Sequence, residues 1–321
     1  MRRSRGVALI IALVVVALAT ILATRIGAQS ALDQRRGATL LAQQQAFEVA
    51  LGAEDWAMEI LFEDKQRPVK SDSLDEAWAT PLPPIPIDGG TITGQLEDLQ
   101  GRFNLNSLVT AEGRKNPVTF AQFQRLLQKL ELEPKWASLL LDWIDVDDTA
   151  DGVDGAEDGF YTGLSPPYRT ANRAITSTSE LMALPGFGAE RYARLAPYVA
   201  ALPVSARLNT CTASGLVLDT LAPGLNAFGQ DPKQLAKNRA KGCFPDNPTV
   251  KAAITPLLIG PDAATSAAAL TATMALLRED TNWFRATTRV SIGTTQLTLY
   301  SLLERNDGGY SRVVLRALGT E

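Results

Sequence analysis

Val7 to Thr24 reads VALIIALVVVALATILAT, 18 residues without a charged side chain. At about 1.5 Å of rise per residue, such a run makes a helix long enough to cross a bilayer's hydrocarbon core. Arg25 to Lys65 then contains no proline and only Gly27, Gly37 and Gly52, so the pattern predicts that the helix continues. Leu40, Phe47, Leu51, Met58 and Phe62 fall at steps of seven and four and lay an apolar stripe along one face. Pro81, Pro83, Pro84 and Pro86 predict an extended linker over Val69–Gly90. Alternation returns from Thr91 to Leu99, a strand with Gly101–Leu105 as its expected partner.

Alternation then lapses until after Thr281. Phe284, Ala286, Thr288, Val290 and Ile292 share one face, and Trp283, Arg285 and Arg289 the other. Turn signals at Gly293-Thr294-Thr295 and Asn306-Asp307-Gly308-Gly309 bracket Leu297–Leu303, and Val313–Ala317 closes a three-stranded meander. The roughly 170 residues between the two strand regions keep helical periodicity. Their helices are expected at Thr119–Leu132, Pro134–Ile144, Thr178–Leu184, Ala189–Ala200, Thr212–Leu221, Pro232–Ala240, Thr249–Leu258 and Ala263–Leu277. Arg102-Phe-Asn-Leu-Asn-Ser107 is weakly echoed by Arg207-Leu-Asn-Thr-Cys-Thr212, which suggests two tandem helical units. The expected fold is α+β: a long N-terminal helix on an antiparallel sheet, interrupted by an all-α insertion of two small subdomains. The divisions are 1–6, the helix 7–65, linker and first strands 66–105, subdomains 106–204 and 205–280, and the meander 281–321.

Composition narrows the chemistry. The formal charge of the 321 residues is −4, and −7 without the three arginines that precede Val7, which is no footprint for nucleic acid. There is no histidine, so imidazole catalysis and imidazole-ligated metals are excluded. Cys211 and Cys243 are the only cysteines. In an exported domain such a pair more often forms one disulfide than a thiol site, contributing about 3–4 kcal/mol on the chain-entropy model.

Eight carboxylates crowd the 17 residues from Asp142 to Asp158: Asp142, Asp145, Asp147, Asp148, Asp151, Asp154, Glu157 and Asp158. Brought together they repel unless a cation lies among them, and hard oxygens on a Gly-rich loop suit calcium. The register Asp147-x-Thr149-x-Asp151-Gly152-x5-Asp158 matches an EF-hand loop only in part. The competing reading is a solvated acidic loop, against which stand the flanking apolar anchors Trp143, Ile144, Phe160 and Tyr161. A carboxylate hydrolase using Asp145 and Glu157 as acid and base is a further alternative, although no spacing singles out a nucleophile.

A cationic leader ending in Gly6, an unbroken apolar helix and an amphipathic continuation together resemble a type IV pilin or pseudopilin. The resemblance implies that a prepilin peptidase cuts between Gly6 and Val7 and that the helix is retained. The alternative is an ordinary secretory signal peptide, whose apolar run is usually shorter. Pilin-like chains carry a glutamate at the fifth mature position, here Ile11. That departure resembles the GspK minor pseudopilins of type II secretion systems, a family with W-x-D-x-D, G-x-E-D-x-x-Y and P-P-Y-x-x-x-N in order. These match Trp143–Asp147, Gly155–Tyr161 and Pro166–Asn172. The resemblance implies calcium, with Asp145, Asp147, Glu157, Asp158 and Asn172 as leading ligands and Asp151 and Asp154 as second choices. It also implies a non-catalytic subunit at a pseudopilus tip, with other minor pseudopilins (I and J classes), the secretion apparatus and secreted substrate as partners. The chain would be single-pass in the inner membrane, its bulk in the periplasm. Leu184-Pro185-Gly186-Phe187-Gly188, followed by Ala189–Leu195, resembles the hairpin of helix-hairpin-helix DNA-binding modules. In an acidic exported chain a tight turn between packed helices is the better reading, and no nucleic-acid partner is expected.

Overall fold

The structure, a computed structural model, describes residues 4–319. Met1–Arg3 of the expected leader lie outside the described residues. One helix, α1, runs from Ser4 to Lys65. From Val7 to Ile26 its large apolar side chains are more than half exposed, so among the described residues nothing covers that half. The other half packs on an antiparallel sheet of five strands: β1 Leu82–Ile87, β2 Gly90–Asp98, β7 Trp283–Ile292, β8 Thr295–Arg305 and β9 Ser311–Leu318. Their spatial order is β1-β2-β7-β8-β9. Strand alternation turns Ile92, Phe284, Val290, Leu299 and Leu303 toward α1, where all are buried.

The stripe that touches the sheet differs from the one expected. Leu40 is 65% exposed, whereas Ala46, Ala50 and Leu61 are wholly buried; Phe47, Leu51, Met58 and Phe62 flank them half-buried. Alanine side chains let the helix backbone approach the sheet, and the larger residues close the sides. The linker expectation is also corrected. Leu82–Ile87 is an edge strand paired with β2, its register shifting between Leu82 and Ile85. Proline is tolerated there because the outer N–H row of an edge strand has no ladder to complete. In β9 a similar shift opposite Leu302/Leu303 lets Val313 face α1, while Leu315 falls opposite Leu302 on the outer face.

Gly101–Leu105 does not pair with β2. Its strand β3 (Phe103–Asn104) runs parallel to β4 (Val199–Ala200), and β5 (Leu208–Asn209) runs parallel to β6 (Leu277–Arg278). Each helical unit therefore opens and closes with a two-residue strand pair, and the sequence echo is structural. Asn104 Oδ1 accepts from the Asn106 and Leu202 amides at 3.2 and 3.1 Å, as Asn209 Oδ1 accepts from the Cys211 amide at 3.0 Å. The first unit holds α2 (Pro117–Lys129), α3 (Lys135–Ile144), α4 (Asp158–Tyr161) and α5 (Gly188–Leu195). The second holds α6 (Gly215–Leu218), α7 (Pro232–Arg239), α8 (Asn247–Ile254) and α9 (Ala263–Met274). One apolar core runs through both, and a Cys211–Cys243 disulfide ties the second.

Two buried polar clamps fasten α1 to the sheet. Glu54 accepts from Arg316 Nη2 at 2.6 Å and from the Ser301 hydroxyl. Arg305, wholly buried, donates to both oxygens of Asp72 at 2.6 Å, to Asp64 at 3.2 Å and to the carbonyls of Leu61 and Thr281.

Candidate metal centre

The acidic loop leaves the C-terminal end of α3 and returns through α4. Asp142, on the last turn of α3, is fully buried and accepts from the Asp151 amide at 3.0 and 3.1 Å. A Cβ at position 155 would meet Asp142 Oδ2 at 2.3 Å, so glycine there is what lets the loop fold against this carboxylate. Burial, working against its amide donors, pushes the Asp142 carboxyl up to about 6.

Asp145 ends α3, is 4% exposed, and has no donor for its Oδ1. Glu157 precedes α4, and neither of its buried oxygens has a hydrogen-bond partner. Burial first, and then neighbouring carboxylates, push both up to about 7. Asn172 arrives from the far side of the loop. Its amide donates to the Trp143 carbonyl at 3.0 Å, its φ is 43°, and its buried Oδ1 also lacks a partner. Four unpartnered oxygens thus belong to three of the residues singled out in the sequence. In the same segments Trp143, Tyr161 and Tyr168 stack edge to face or tilted, with centroids 5.2–6.2 Å apart.

The other candidates are placed differently. Asp151 is held by Lys115 Nζ at 2.7 and 2.8 Å and by the Ser138 hydroxyl at 3.0 Å. Asp158 accepts from the Thr170 amide and hydroxyl at 3.0 and 2.9 Å and pairs with Arg169. Asp147 is exposed and turns back onto the Thr149 amide at 2.9 Å. Asp154 is exposed beside Val153. Among the described residues, the acidic triad with oxygens all within 4.8 Å lies elsewhere, at Asp64, Asp72 and Glu76; there the Arg305 guanidinium already supplies the positive charge. Sequence reasoning gave no role to Asp142, whose buried side chain organises the loop; its signal was the apolar company of Trp143 and Ile144.

Chemically the loop offers carboxylate and amide oxygens and no nitrogen or sulfur donor, a set that fits a hard cation such as calcium. The hairpin at Leu184–Gly188 is a packed turn. Gly186 and Gly188 have φ of 80° and 72°, Phe187 is buried 5.1 Å from Trp136, and Arg191 donates to the Gly186 and Phe187 carbonyls.

A half-exposed apolar helix seated on an antiparallel sheet, with helical units inserted between strands, defines a pilin-like architecture. Residues 101–204 match the family model described as type II secretion system (T2SS), protein K. The chain is 36% identical over 333 residues to type II secretion system protein K of Pseudomonas aeruginosa, covering 99% of this chain and 94% of that one. It is 38% identical over 214 residues to the same-named protein of Aeromonas hydrophila, covering 63% of this chain and 65% of the relative. Among solved structures it resembles, with TM-score 0.75 and 26% identity over 89% of this chain and 100% of the other, a chain of the GspK-GspI-GspJ complex from enterotoxigenic Escherichia coli. The chain belongs to the type II secretion system protein K family.

Proposed function

We propose that the chain is a minor pseudopilin, a non-catalytic subunit at the tip of a periplasmic pseudopilus that supports export across the outer membrane. In this reading the prepilin peptidase removes residues 1–6, α1 from Val7 anchors the chain in the inner membrane, and the head lies in the periplasm. Sister minor pseudopilins of the I and J classes pack beside it, by analogy with the complex of GspK, GspI and GspJ that it resembles. The observation that carries the reading is α1 itself. Its first half exposes an apolar surface that none of the described residues covers, and in water that surface has to be covered by lipid or by other helices.

Calcium is part of the proposal. Asp145, Glu157 and Asn172 would hold it, with Asp147 the adjacent exposed carboxylate, while Asp151 and Asp158 brace the loop. The unpartnered buried oxygens support this reading, because leaving such atoms unsatisfied is costly. A bound cation would cancel the repulsion among the acids and order the insertion.

The experiment is complementation of a strain lacking the gene. The full chain should restore secretion. A truncated chain beginning at Gln29 and exported by a cleavable signal should accumulate folded in the periplasm without restoring it. Normal secretion with the truncated chain would remove the anchoring role.

A further inference from the structure

The segments around the acidic loop hold orphan donors as well as orphan acceptors. Six buried polar atoms without a partner belong to five residues there: the oxygens of Asp145, Glu157 and Asn172 already described, the Trp143 indole N–H and the Tyr161 hydroxyl. Tyr161 is wholly buried. It lies one helical turn after Glu157, its amide donating to the Glu157 carbonyl at 3.3 Å, so the spacing of four residues puts the two side chains on one face. Its ring packs on Trp143, Phe160 and Tyr168, with centroids 5.4, 5.6 and 5.2 Å away. A phenylalanine ring would make the same contacts, so packing does not call for the oxygen. Tyr168 differs: its hydroxyl donates to the Ala183 carbonyl at 2.7 Å and is committed to the fold. Burial first, then Tyr168, Asp142 and Glu157, push the Tyr161 phenol up, so it keeps its proton and stays a donor.

We propose that Tyr161 is a positioning residue for Glu157 at the cation site: its hydroxyl donates to one carboxylate oxygen, directly or through one ordered water, and leaves the other oxygen to the metal. The inference rests on the calcium reading and adds a residue that acts through a ligand. The orphan atoms carry it. A buried donor and a buried acceptor are each costly when left unpaired, and these two share one face of one helical turn. No direct hydrogen bond joins them, a separation that one water or a small turn of either side chain closes. A carboxylate that ligates a metal usually has a donor of its own, and removing that donor lowers metal affinity about 10–100-fold. Asp151 and Asp158 have theirs in Ser138 and Thr170. Glu157 has none within hydrogen-bond distance among the described residues, and Tyr161 is the donor that its own helix turn supplies.

The test uses the full chain purified in detergent and titrated calorimetrically with calcium chloride, alongside its melting temperature in chelator. Tyr161→Phe removes one atom and keeps the ring. It should weaken calcium binding at least tenfold, while its melting temperature in chelator stays at or above the parent value because an orphan hydroxyl has gone. Tyr168→Phe is the opposite case: it loses the bond to Ala183, so it should melt lower in chelator and bind calcium like the parent. A Tyr161→Phe chain with the parent's calcium affinity overturns the proposal and leaves the calcium reading in place. So does a Tyr161→Phe chain that melts well below the parent in chelator, since the hydroxyl would then serve the fold. A parent chain that takes up no calcium removes the calcium reading, and this inference with it.

Discussion

Asp145 and Glu157 are carboxylates in surroundings that disfavour their charge. Burial and their acidic neighbours both act in the same direction, and no donor offsets them. A cation reverses this balance, so calcium should raise the melting temperature of the parent. Glu157→Gln and Asp145→Asn should each abolish most of that rise. In chelator the same variants should be at least as stable as the parent, since an amide removes the repulsion and keeps the shape. Scanning calorimetry with and without calcium reads both effects; a Glu157→Gln chain with the parent's calcium response would remove Glu157 from the site. Which acids crowd the loop was legible from spacing alone. Which of them are already engaged was not, because the partners of Asp151 and Asp158 are Lys115 and Thr170, the first 36 residues away.

The elements that repeat a period were readable, and those fixed by distant partners were not. The run Val7–Thr24 and the alternation Phe284–Ile292 each carry their own signal. The proline-rich strand β1 carries none, since it exists only because β2 and its ladder lie beside it. Pairing of β3 with β4 likewise joins residues almost a hundred positions apart. The clamps were invisible for a related reason: an arginine in β8 or a glutamate in α1 reads as surface until the helix is laid on the sheet. Replacing Arg305 with methionine leaves Asp72 and Asp64 without their guanidinium and should cost about 3–5 kcal/mol in chemical denaturation. The double variant with Asp72→Asn should recover part of that loss, and a double variant no more stable than the single would sink the pairing argument. Asp72 also sets a pH dependence. Burial outweighs Arg305 and pushes its carboxyl from 3.8 up to about 6, so the folded form keeps a proton that the unfolded chain has released. With calcium saturating, this contribution is full below 3.8 and is lost as pH rises through about 6. Asp72→Asn should flatten that part of the stability profile.

At the scale of the whole molecule, a rod and a head divide the work. The lower half of α1 exposes apolar surface that, on the proposed reading, lipid and neighbouring helices would cover, while the upper half is clamped to the sheet at Glu54 and Arg305. The helical units are spliced between β2 and β7, neighbouring strands of one sheet, so both ends of the insertion are fixed on the layer that packs against α1. All of this depends on the apolar run surviving maturation. Intact-mass and N-terminal analysis of the protein purified from membranes tests that most directly. The account predicts a mature chain that begins at Val7 and retains every residue of the run; a chain beginning after Thr24 would contradict it.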